Sequence, residues 1–218
     1  MNLESYFPIW KSLTADQQNR LTQSSEFREV KKGTVLHNGS LDCLGLLLVS
    51  AGQLRAYILS EEGREITINR FFERDICLYS ASCVLPNMQF EIVIEAEKDS
   101  SVWIIPACLY KNLMAESLAV SNYSNDLMSS HFSELIWLVE QIMWRSFDKR
   151  LAGFLLQESN LEGTDNLKLT HEMIGNHLGT AREVVTRMLR YFQNEGMVKL
   201  TRGTVELVGI EKLQHLAQ

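Results

Sequence analysis

The sequence predicts an α+β chain: an N-terminal antiparallel double-stranded β-roll (jelly roll), then a long helix, then two short helices closed by a hairpin. Three observations carry this. Short apolar or alternating runs, separated by turn signals, fill the segment from about residue 34 to residue 106. Beyond Pro106 the apolar residues take up helical spacing. From Leu169 onward, two segments with helix-start signals meet at a glycine.

With 218 residues, 45% of them hydrophobic, the chain has enough apolar surface for one or two cores. The net charge of −6 excludes a protein coated in nucleic acid, but the charge is uneven. Residues 1–147 carry 12 Lys and Arg against 18 Asp and Glu, which is the whole excess. Between Lys168 and Arg202 six bases face three acids. A small basic patch on an acidic body suits a protein that touches DNA with one element. The start, MNLESYFPIWKSL, lacks a basic segment followed by an apolar one, and no uncharged apolar run is long enough to span a membrane. Cys43, Cys77, Cys83 and Cys108 form no C-x-x-C pair, so a cytoplasmic chain with reduced thiols and no membrane partner is expected.

The expected strands are Leu44–Ser50, Gln53–Leu59, Glu65–Phe72, Phe90–Ala96 and Ser101–Ile105. Asn38-Gly39, Ala51-Gly52, the Glu61–Gly63 run and Lys98-Asp99 supply turns between them. Strands this short and this frequent make a sandwich or roll.

After Pro106, Met128, Phe132, Leu135, Val139 and Ile142 recur at spacings of 4, 3, 4 and 3, the seam of a helix that pairs with a copy of itself. Ile136, Trp137, Met143 and Trp144 make a second apolar flank. Two flanks need two neighbours, so the seam is read as a dimer contact; packing within its own chain is the alternative. The helix spans about 118–145. The boundary is placed near Ser146, giving units 1–145 and 146–218, with Asp148 as N-cap of a helix over Lys149–Gln157. Ser159–Asn166 is a polar loop.

The stretch Leu169–Val208 is the most informative. Thr170 caps a helix containing Met173, Ile174 and Leu178, and Gly179 ends it in a tight turn. Thr180 then caps a second helix, with Glu183 completing a capping box. Val184, Val185, Met188, Leu189 and Phe192 form its inward stripe, leaving Arg182, Glu183, Thr186, Arg187 and Arg190 outward. Arginine donates a bidentate pair to guanine O6 and N7, and a carboxylate accepts from cytosine N4, so this surface has major-groove chemistry. The plainer reading is an i,i+4 ion pair from Glu183 to Arg187 on a solvated helix. A hairpin, Met197–Leu200 and Thr204–Val208 around Thr201-Arg202-Gly203, follows. Thr170, Thr180 and Arg202 complete the candidate DNA-contacting set.

Thr170 to Val208, with the run GTAREVVTR from Gly179 to Arg187, resembles the DNA-binding domain of the Crp/Fnr superfamily. The likeness extends to Ser50–Gly52 and Glu61–Glu65 of the roll, and covers nearly the whole chain. It implies a cyclic-nucleotide-binding-like roll, a dimerisation helix and a C-terminal winged helix-turn-helix. It also implies a homodimer on an inverted-repeat operator in double-stranded DNA, with RNA polymerase as a partner. On the same likeness Arg182, Glu183 and Arg187 read bases, with Thr186 a fourth contact.

The likeness also defines what the sensing half lacks. Relatives that bind cyclic nucleotides hold the ribose with Gly and Glu and the cyclic phosphate with Arg and Ser; here those positions fall on Cys77 and Leu78, then Phe90 and Glu91. No Arg lies between Asp75 and Ala119. A buried phosphate needs a cationic partner, so cyclic AMP is not expected. Residues 1–42 hold no cysteine, and the four that follow are 34, 6 and 25 apart, which speaks against an N-terminal iron–sulfur cluster. His37 and His131 are the histidines ahead of the DNA-binding half, too few to argue for haem. Cys77, Leu78, Tyr79, Cys83, Phe90 and Trp137 are the candidate effector pocket, with Cys77 and Cys83 either a thiol pair or small buried hydrophobes. No metal site and no catalytic residue is expected, and the effector is unassigned. A cupin-type metalloenzyme would need several His converging in the roll, which offers His37 alone. A roll that only assembles subunits, with a winged helix binding protein, is the other rival.

Overall fold

The computed structural model describes residues 2–39, 44–81 and 91–218. They form two compact units: one runs to Leu59 and resumes over Ile68–Leu135, the other joins Ser60–Thr67 to Ile136–Gln218.

The strands in chain order are β1 (Glu26–Val30), β2 (Val35–Asn38), β3 (Leu46–Ala51), β4 (Leu54–Leu59), β5 (Glu65–Phe71), β6 (Ile76–Cys77), β7 (Ile92–Ala96) and β8 (Ser100–Ile105). One sheet has the order β1-β8-β3-β6 and is antiparallel throughout. The other has the order β2-β7-β4-β5, antiparallel where β7 meets β2 and β4. Strand β3 explains why its sequence reads Leu-Leu-Leu-Val without alternation. Leu47 and Val49 pack with Leu54, Ala56, Phe71 and Ile94 on one side of their sheet. Leu46 and Leu48 pack on the other with Leu21, Ile105, Tyr110 and Leu113. A strand buried on both faces cannot carry a polar stripe. Gly52 turns the chain between β3 and β4 at φ +87°, where a Cβ would meet the Asp99 carbonyl at 2.5 Å.

Helix α1 (Ala15–Ser24) precedes the roll, begun by a capping box between Thr14 and Gln17. Helices α2 (Ala107–Glu116) and α3 (Leu118–Trp144) follow it. The Tyr110 and Ser124 hydroxyls, 2.8 Å apart in a buried setting, tie α2 to α3. Phe132, Ile136, Trp137, Val139, Ile142, Met143 and Trp144 are all exposed on α3.

The second unit contains α4 (Phe147–Glu162), β9 (Asn166–Leu167), α5 (His171–Leu178), α6 (Arg182–Asn194), β10 (Val198–Thr201), β11 (Thr204–Leu207) and α7 (Ile210–Ala217). Its core joins Leu151, Leu155, Ile174, Val185, Leu189, Phe192, Val205 and Leu213. Strands β10, β11 and β9 form a three-stranded antiparallel sheet. Ser146, not Asp148, is the N-cap of α4, through its extended backbone. Asp148 lies in the first turn, where a carboxylate suits the helix dipole. Among the described residues no helix is long and apolar enough to cross a membrane.

Candidate nucleic-acid interface

Thr170 begins α5 as expected: its hydroxyl accepts from the Met173 N–H at 3.1 Å. Gly179 closes α5 in the left-handed region at φ 66°, ψ 39°. The next step departs from expectation. The cap of α6 is Ala181, and no side chain caps it, so the capping box from Thr180 to Glu183 does not form. The Thr180 N–H instead donates to the Gly175 carbonyl at 3.0 Å, finishing the closure of α5. Thr180 is spent on the helix before it, and α6 starts one residue later. Gly175 is essential to this turn, since a Cβ there would stand 2.8 Å from the Thr180 carbonyl.

Helix α6 buries Val185, Leu189 and Phe192, with Val184 and Met188 half-buried beside them. That places Arg182, Glu183, Arg187 and Arg190 on the exposed side. Among the described residues none of these four is in an ion pair, so the expected alternative, a Glu183–Arg187 pair, is not made. Thr186 differs from them. Its hydroxyl, half-buried, donates to the Arg182 carbonyl at 2.9 Å and sits 2.9 Å from His171 Nδ1. Arg202 is exposed at the tip of the β10–β11 hairpin, whose Lys199 pairs with Glu206 at 3.4 Å.

Two helices crossing at a glycine turn, an exposed arginine face and a following hairpin constitute a winged helix-turn-helix. Residues 149–216 match the family model described as a Crp-like helix-turn-helix domain. A transcriptional regulator of the Crp/Fnr family from Eubacterium rectale shares 56% identity, over 98% of this chain and 99% of that one, with a TM-score of 0.95. The chain belongs to the Crp/Fnr family. It is a DNA-binding transcription regulator of that type. More distant relatives include electron transport regulator A of Shewanella oneidensis, 23% identical over 94% of this chain and 84% of that protein. An anaerobic regulatory protein of Aggregatibacter actinomycetemcomitans is 24% identical over 87% and 76%.

In the roll of this Crp/Fnr regulator, the expected effector residues have mixed positions. Cys77 and Leu78 are buried in its apolar cores. Burial pushes the Cys77 thiol up to about 12, against weaker hydrogen bonding from the Tyr79 and Ser80 amides. Cys83 and Phe90 lie outside the described residues, and Trp137 is exposed on the part of α3 assigned to the second unit. Tyr79 clusters with the rings of Phe71 and His131, at 6.0 and 5.1 Å, and those two are 5.8 Å from each other. Among the described residues its buried hydroxyl makes no hydrogen bond of good geometry, the Asn69 side chain being the polar group that acts on it. Beside it, the Asn69 amide donates to Glu134 at 2.7 Å, and partial burial raises the Glu134 carboxyl. Burial also lowers His131, against an opposing pull from Asp75. The buried Arg55 and half-buried Arg70 are paired with Glu95 and Glu97, at 3.4 and 3.0 Å. Sequence reading did not single out Phe71, Asn69 or Glu134, because strand and helix contribute them from distant positions with no shared spacing. It also missed His171, whose partner Thr186 lies on the next helix, and Gly175, whose partner is the Thr180 carbonyl across the turn.

Proposed function

We propose that this Crp/Fnr regulator reads an inverted repeat as a homodimer, with α6 in the major groove and α3 joining the copies. The observation that carries this reading is the face of α6: Arg182, Glu183, Arg187 and Arg190, exposed and, among the described residues, without ion-pair partners. Arg187 and Glu183 are matched to a G·C pair, Arg182 to a second, and Arg190, Thr170, Thr180 and the wing's Arg202 to phosphates. Thr186 supports α6 from within, since its hydroxyl is already engaged. The seam of α3 leaves Phe132, Val139 and Ile142 exposed, an apolar surface that a copy would cover. The function places the protein in the cytoplasm with the chromosome and RNA polymerase. The gating signal is assigned to the roll around Leu78, Tyr79 and His131, and its chemical identity is left open.

Selection from a random duplex library tests the reading. The expected product is a palindrome with a G·C pair in each half-site; recovery of no palindrome, with or without oxidants and candidate effectors, overturns it. Arg187→Ala should weaken the selected site by roughly 1–3 kcal/mol while nearly sparing other DNA. Arg202→Ala should weaken all sequences alike and reduce the salt slope by about one.

A further inference from the structure

His171 is the first residue of α5, yet its ring is bound to α6. The Thr186 hydroxyl gives its proton to the Arg182 carbonyl, so its oxygen accepts from His171 Nδ1–H. The hydrogen-bond pattern thereby selects the Nδ1–H tautomer in the neutral ring and leaves Nε2 as a bare acceptor. Thr186 lies one helical turn from both Arg182 and Arg190, so the imidazole is held at the middle of an arginine row.

We infer that His171 is a proton-linked DNA contact: neutral in the free protein, and protonated at Nε2 when the backbone phosphate held by Arg190 comes against it. This rests on α6 being the DNA-reading helix. In the free protein, burial and then the charges of Arg182 and Arg190 hold the imidazole below its usual range. Its charged neighbours in sequence, Lys168 and Glu172, are both exposed, and the charges that act on the ring are those of Arg182 and Arg190. A phosphate changes both conditions. It neutralises the field of the two guanidinium groups and offers Nε2 an acceptor, which a neutral ring would repel and an imidazolium would bond. DNA binding therefore takes up a proton. The sign follows: extra affinity is fully present below the free-state pKa and is lost as pH rises through the higher, bound-state pKa.

The test is fluorescence anisotropy of the full chain with a labelled duplex of about three helical turns, between about pH 5.5 and 8 at fixed low salt. Wild-type affinity should rise on acidification, about tenfold for each unit by which DNA raises the pKa. His171→Gln, which can still donate to Thr186, should bind at the weak, high-pH level throughout; His171→Arg should bind tightly without that slope. The imidazole resonance of His171, assigned by its loss in the Gln variant, should titrate at higher pH with duplex present. A pH slope unchanged by His171→Gln, or a resonance that does not move up, overturns the proton link while leaving the reading helix intact. Absence of duplex binding by all three proteins at every pH would overturn the DNA-reading assignment itself.

Discussion

Burial of Cys77 beside Leu47 and the Tyr79–Ala81 turn keeps its sulfur protonated at neutral pH, a small apolar group and not a nucleophile. Cys108 is exposed. Iodoacetamide at neutral pH should therefore modify Cys108 in the native protein and Cys77 only after denaturation, as read by peptide mass spectrometry. Modification of native Cys77 at a comparable rate would contradict the burial. The same scale shows where sequence reading ends. That cysteine is often a buried hydrophobe is visible in composition, but the surroundings that fix its pKa are not. Thr180 is a sharper case. As a Thr three residues ahead of Glu183 it has the pattern of a cap, and only the left-handed turn at Gly179 reveals that its amide serves α5.

Helices with one buried stripe were legible, since α6 shows its apolar residues at helical spacing and its arginines between them. Strands β3, β4, β5, β7 and β8 were legible for a similar reason, as apolar runs bounded by turns. Strand β6 was not, because two residues carry no period, and neither was β9. Helix α1 has a capping box in its sequence but is strongly polar, with Leu21 as its buried apolar anchor. The exposed seam of α3 yields a prediction at this scale. Leu135→Glu with Val139→Glu would bring like charges together at a two-fold contact, and the variant should sediment as a monomer. Circular dichroism should show its helix content retained; a dimer of undiminished stability would refute the seam. Loss of dimerisation should also weaken operator binding steeply, since two half-sites are then no longer held by one particle.

Across the whole molecule the acidic excess lies in residues 1–147, while residues 148–218 are electrically balanced. That asymmetry made a single DNA-touching element legible before any coordinates. What no sequence pattern disclosed is that the second unit is discontinuous. Residues 60–67 belong to it, although they are the β4–β5 turn and the first residues of β5. Thr67 Oγ1 lies 2.9 Å from the buried His177 Nδ1, and Ile66 lies directly against Gly179 of the helix-turn-helix. A fragment of residues 146–218 should consequently be less stable than the same segment in the full chain. Hydrogen exchange should show this first at the amides of Leu178–Thr180; equal protection in fragment and full chain would argue that the 60–67 segment contributes nothing.

The contact of Ile66 with Gly179 also has a consequence for biosynthesis. The ribosome delivers residues 60–67 more than a hundred residues before their partners, so this segment is already present when His177 and Gly179 emerge. The reading half has its own core within residues 147–217, yet its turn also touches Ile66. Transplanted onto another sensor without residues 60–67, it would lose the Thr67 contact of His177 and the Ile66 contact of Gly179.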